Sequence, residues 1–170
     1  MPMGELGMLP WQEVAVRLAA AMFAGLLLGL DREMHGKAAG LRTHTLAALS
    51  SAALTMVAFE IYWSILAREG GAGESDPNRV IQGIAQALGL VAAGVVIQGR
   101  GNRVRNLTTA TTLWMAATLG IACGAGYYVI AGLTAVATLL VLIVIGGIER
   151  RWFKDAGGDE PEEDRRPPQP

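Results

Sequence analysis

The fold class predicted by this 170-residue sequence is an all-α integral membrane protein, a bundle of five transmembrane helices. Three observations predict it. Hydrophobic residues make up 52% of the chain and charged ones only 17%, against about 25% in a typical soluble domain. The charges are bunched between long uncharged runs. The basic residues favour alternate connections between those runs.

A bilayer core of roughly 30 Å takes about 20 mostly apolar residues to cross as a helix. The first run, 14–30, is interrupted only by Arg17. The second, 43–67, carries only Glu60, and the third, 80–99, carries no charge. Residues 106–148 are also free of charge but twice the length of one crossing, so they must turn back. Gly124-Ala125-Gly126, followed by Tyr127 and Tyr128, is the natural break, because glycines loosen a helix and tyrosines suit the headgroup layer. The fourth and fifth spans are thus 107–124 and 128–148, and the transmembrane domain covers 1–154.

Lys and Arg test this arrangement. The connections at 31–42 and 100–105 and the tail after 148 carry eleven, the opposite side carries two, and Arg17 lies inside a span. The positive-inside rule then places the N-terminus outside and the C-terminus in the cytoplasm. The first span is not read as a cleaved signal peptide: no basic segment precedes it and Asp31-Arg32-Glu33 follows it. Residues 155–170, DAGGDEPEEDRRPPQP, read as a disordered acidic, proline-rich cytoplasmic tail.

A net charge of -1 gives no field to attract nucleic acid. The lone Cys123 excludes an internal disulfide. No HExxH, Walker A or GxSxG pattern is present, so the sequence predicts a protein that is not an enzyme. His35 and His44 are too few for a zinc site. Asp31 and Glu33 are oxygen donors of the kind Mg2+ uses, but their pattern specifies no metal site and no cofactor.

In lipid, helices associate through small residues and side-chain hydrogen bonds. Ala21, Gly25 and Gly29 recur every four residues on the first span, and Ala116, Gly120 and Gly124 do so on the fourth, giving two packing seams. On the third span Gln82, Gln86, Gly89 and Ala93 share a narrow arc. That stripe is expected to face a sister helix or a water-filled path rather than lipid. On the fourth span, Thr108, Thr111 and Thr112 gather on one side while Thr109 points elsewhere. These hydroxyls either bond back to their own helix or, with Asn106, line a cavity.

Ionisable groups beside spans are candidates for function. Arg17 lies four residues after Glu13 and either pairs with it or reaches outward, and Glu60 sits beside Tyr62 and Trp63 at the outer surface. Asp31, Arg32 and Glu33 end the first span, and Arg42, Thr43 and His44 open the second. This hairpin holds acid and base at one depth. Ion pairs between the two spans are expected there, as a structural clamp or as a recognition site for an ion or a partner.

These residues match a family pattern. The chain resembles the membrane domain of the MgtC/SapB family of bacterial inner-membrane proteins. The match rests on RLAAAMFAGLLLGLDRE at 17–33 with AGLRTHTL at 39–46, on DPNRVIQGIAQALGLVAAGVVI at 76–97, and on NLTTATTLWMAATLGIACGAGYY at 106–128. The family's Glu-Arg is here Asp31-Arg32, its GIGFLGAG is Ala87 to Gly94, and its Gly-Leu-Thr-Thr-Ala begins with Asn106. Only the acidic tail follows the fifth span, which resembles a short branch without the C-terminal soluble domain.

The resemblance implies a link to magnesium homeostasis, growth at low magnesium and survival inside host phagocytes, and a membrane ATPase or other membrane protein as partner. It marks Asp31, Arg32, Gly40, Arg42 and Thr43, and Thr108, Thr109 and Trp114, as the positions to test. Two functions compete: a non-catalytic regulator that binds another membrane protein through the small-residue seams of Gly25 and Gly120, and a homo-oligomeric transporter or channel for magnesium or a small solute, with Gln82, Gln86 and the Asp31/Arg42 cluster along its path.

Overall fold

A computed structural model describes residues 9–69, 76–97 and 106–148. Its elements are α1 (Trp11–Met34), α2 (Leu41–Glu69), α3 (Asn78–Ile97), α4 (Leu107–Gly124) and α5 (Tyr128–Leu140), followed by a π-helical turn at Val141–Ile145. Among the described residues there is no strand, and five helices are long and apolar enough to cross a bilayer, the fifth counted over Tyr128–Ile148. The chain is therefore an all-α, multi-pass membrane protein. The 100–105 connection and the 155–170 tail lie outside the described residues.

α1 runs beyond the apolar stretch 14–30 at both ends. Hydropathy marks only the part of a helix that sits in hydrocarbon, while backbone hydrogen bonding carries the helix on into the polar interface.

The chain divides into two compact units, Met1–Ala135 and Val136–Pro170. In the first, α1, α2 and α4 pack mutually, and α3 lies against α4 and α2. Ala21, Leu28, Ala48, Ala52, Leu113, Ala116 and Leu119 form its interior. In the second, Leu142 is buried, while Val141, Ile143, Val144 and Ile145 are exposed.

Both glycine seams close inside the first unit, on α2 of the same chain, so they are not the surface expected for a membrane partner. A Cβ at Gly25 would lie 2.7 Å from the Thr45 Cα, and one at Gly29 would lie 2.7 Å from the Leu41 Cα. On the other side of α2, a Cβ at Gly120 would overlap the Ala48 carbonyl oxygen, and one at Gly124 would lie 2.5 Å from that of Ala52. α2 is thus held between two helices whose backbones touch it directly, the arrangement small residues permit in lipid.

Two of the helix ends are specified by glycine. After α1, Gly36 (φ 57°) sends its N–H to the Glu33 carbonyl and Lys37 sends its N–H to that of Arg32. After α4, Gly126 (φ 82°) and Tyr127 repeat the pattern onto Cys123 and Ala122. Both are Schellman caps, which need a left-handed residue at this position. α4 begins at Asn106, which is itself left-handed at φ 65°. Asn adopts that conformation more readily than other residues with a Cβ, which explains how it replaces glycine there.

Candidate functional site

Polar side chains gather at both ends of the first unit. At the Trp11 end, Arg17 is 7% exposed and donates through Nε to Glu13 Oε1 at 2.9 Å and through Nη1 to the Gly124 carbonyl oxygen at 2.7 Å. The Tyr128 hydroxyl donates to the same Glu13 oxygen at 3.2 Å. Arg17 pairs with Glu13, one of its two expected roles, and also satisfies a carbonyl left open at the end of α4. Nearby in sequence, the Leu9 N–H donates to Glu60 Oε1 at 2.8 Å, so Glu60 ties the start of the chain to α2.

At the Met34 end, Asp31 and Arg32 are both buried, and the Arg32 guanidinium donates to Asp31 Oδ2 through Nε and Nη2. His35 Nδ1 lies 2.6 Å from the Asp31 carbonyl oxygen and 3.4 Å from Oδ1. The expected ion pairs between the first two spans are replaced by pairing within α1. Arg42 and Thr43 are exposed, and Arg42 makes no ion pair among the described residues. The physical reason is reach: Arg32 is the next residue of α1 and His35 is its C-cap, one turn on from Asp31, whereas Arg42 is exposed at the start of α2.

The link to α2 comes instead from Glu33. Its Oε2 accepts the Leu41 N–H at 3.1 Å, so α1 supplies an acidic cap to a helix with no acid in its own first turn. Gly40 makes this approach feasible, because a Cβ there would run into the Glu33 carboxylate.

His44 is the least exposed polar residue of this end, at 0%. Its Nδ1–H donates to the Gly40 carbonyl oxygen at 2.9 Å, which leaves Nε2 3.1 Å from Thr112 Oγ1 on α4. The Thr112 hydroxyl also lies 3.0 Å from the Thr109 carbonyl oxygen, so its one proton has two acceptors when the ring is neutral. Thr109 and Thr112 are buried, whereas Thr108 and Thr111 are exposed, and Thr111 bonds back to its own helix. This corrects the expected grouping of Thr112 with Thr108 and Thr111. Thr112 stands one turn before Ala116, in line with Gly120 and Gly124, so the seam that packs on α2 turns it toward His44.

Of the remaining candidates, Asn106 is the left-handed residue before α4, and Trp114 is 47% exposed. Gln82 and Gln86 lie on the exposed side of α3, whose buried residues are Ile84 and Ala92. The glutamine stripe does not face this chain's own helices. His44 carried a signal in the sequence: with Ala48, Ser51, Ala52 and Thr55 it recurs at spacings of three and four, and all five are buried. Arg17 had none for its distant partner, because an acceptor 107 positions away leaves no local pattern.

The MgtC family pattern matches residues 18–151. Protein SrpB of Synechococcus elongatus is 34% identical over 151 residues, covering 82% of this chain and 77% of that protein. Protein MgtC of Brucella abortus is 36% identical over 135 residues, 79% of this chain and 51% of its own length. YhiD of Escherichia coli is 34% identical over 132 residues, 78% of this chain and 60% of its own. The chain thus spans about half of the Brucella protein. No solved structure matches it. From 18 to 151 the match takes in α1 from Leu18 onward, the described parts of the other four spans and the polar end at Met34, and the chain belongs to the MgtC family.

Proposed function

We propose that this protein is a non-catalytic regulator or accessory factor in magnesium homeostasis, set in a bacterial inner membrane with its N-terminus outside, and acting by helix–helix contact with another membrane protein. Family membership supports the magnesium link, as does the provisional name of YhiD in Escherichia coli as a magnesium transporter. The observation that carries the choice of regulator is the closure of α1, α2 and α4. Seam glycines bring their backbones together, Leu28, Leu113 and Leu119 fill the interior, and His44, Thr112, Arg17 and Arg32 spend their hydrogen bonds within the chain. A side chain already bonded in this way is costly to free for a hydrated ion.

The alternative is a homo-oligomeric magnesium transporter. One observation favours it: Gln82 and Gln86 point outward, where a path between copies would run. Magnesium influx into proteoliposomes, followed by an enclosed magnesium dye, separates the readings. The regulator gives no saturable flux, while a strain lacking the protein grows poorly at low magnesium and is rescued by the wild type. Saturable flux that Asp31→Asn or Arg42→Ala abolishes in folded protein would replace the regulator with the transporter.

A further inference from the structure

The two kinds of glycine in this bundle are used differently. Gly25, Gly29, Gly120 and Gly124 are pressed against neighbouring backbone, whereas a Cβ at Gly83, Gly89 or Gly94 of α3 would meet nothing within 4 Å. On the arc of Gly89 stand the exposed amides of Gln82 and Gln86, with Ala93 also exposed. Neither glutamine has a hydrogen-bond partner among the described residues. Gln86 lies eight residues from the start of α3, about 12 Å along it, which is well inside a hydrocarbon layer of roughly 30 Å. No water reaches that depth to satisfy an amide.

We propose that this face of α3, centred on Gln82 and Gln86, is where a second copy of the same chain seats. A primary amide both donates and accepts, so the side chain that best complements it is another like it. A two-fold interface places one patch against itself and brings each glutamine to an identical group. Gly89, on the same arc as the glutamines and open to 4 Å, lets the two helices approach closely enough for those hydrogen bonds to form. This pairing does not rest on the proposed regulatory role.

The test is oxidative cross-linking in native membranes of full-length chains carrying Gln82→Cys or Gln86→Cys. The wild type, whose Cys123 is buried, serves as the blank, and Leu133→Cys on α5, 70% exposed, serves as the lipid-facing control. Both glutamine positions give a species of twice the chain mass, and Leu133→Cys does not. Single-molecule photobleaching in lipid vesicles gives two-step traces for the wild type. The Gln82→Leu/Gln86→Leu variant weakens association by about tenfold, with unchanged helicity because both sites lie outside the packed interior. One-step traces for the wild type, dimers that persist undiminished in the double leucine variant, or cross-linking only to a species of different mass would each overturn the second copy as occupant.

Discussion

Arg17 on α1 donates through Nη1 to the carbonyl oxygen of Gly124 on α4 at 2.7 Å, closing the end of one membrane helix with a base from another. The same guanidinium holds Glu13, which in turn accepts from Tyr128 at the start of α5. Three helices thus meet through one buried cation. Gly126 belongs to the arrangement, since a Cβ there would come within 3.1 Å of Arg17 Nη2.

Arg17→Met therefore lowers stability by about 2–3 kcal/mol, the cost of losing charged hydrogen bonds that satisfy buried acceptors. Arg17→Lys recovers only part, because an ammonium cannot span Glu13 and Gly124 as a planar fork does. Equilibrium unfolding in mixed micelles checks both, and a neutral Arg17→Met would remove this capping role.

The seam glycines predict a contrast at constant chemistry. Gly120→Ala and Gly25→Ala each destabilise by about 1–3 kcal/mol, because overpacking shifts backbone. Gly132→Ala, at a position open to 4 Å, is neutral or stabilising by about 0.5–1 kcal/mol, the helix preference of alanine. Unfolding of the three variants side by side decides whether space or propensity rules.

His44 and Thr112 join α2 to α4 by one side-chain hydrogen bond of 3.1 Å. A double-mutant cycle with His44→Ala and Thr112→Val should give a coupling of about 0.6 kcal/mol, the average between membrane helices, and no more than about 1.7 kcal/mol. Additive single effects would mean that each residue acts through its own helix alone.

Asn106 holds a left-handed conformation at φ 65°. Asn106→Gly is therefore tolerated, while Asn106→Ala costs about 1–2 kcal/mol. Thermal unfolding monitored by helicity measures it, and equal midpoints for the two variants would contradict the local strain.

The spans were legible because partition into lipid depends on composition over about 20 residues and on little else. The turn at Gly124 to Tyr128 was legible for a similar reason, since a Schellman cap is written in a few adjacent residues. The ion pairs at Asp31 were not, because a tight hairpin leaves several partners within reach and only the side-chain directions choose among them. Thr112 shows a different limit: standing one turn before Ala116 it belongs to the seam facing α2, but no local pattern names His44 as its partner.

The sequence by itself thus determined that this chain crosses a membrane five times, where each helix lies, and which family it resembles. Only the tertiary structure decided that Gly25 and Gly120 are consumed inside the bundle, that Arg17 caps α4, and that Gln82 and Gln86 are left outside. Span location is a sum over neighbouring residues. The pairing of helix faces is a contest among surfaces distant in the chain, settled by which backbones can approach and which polar groups each contact leaves satisfied.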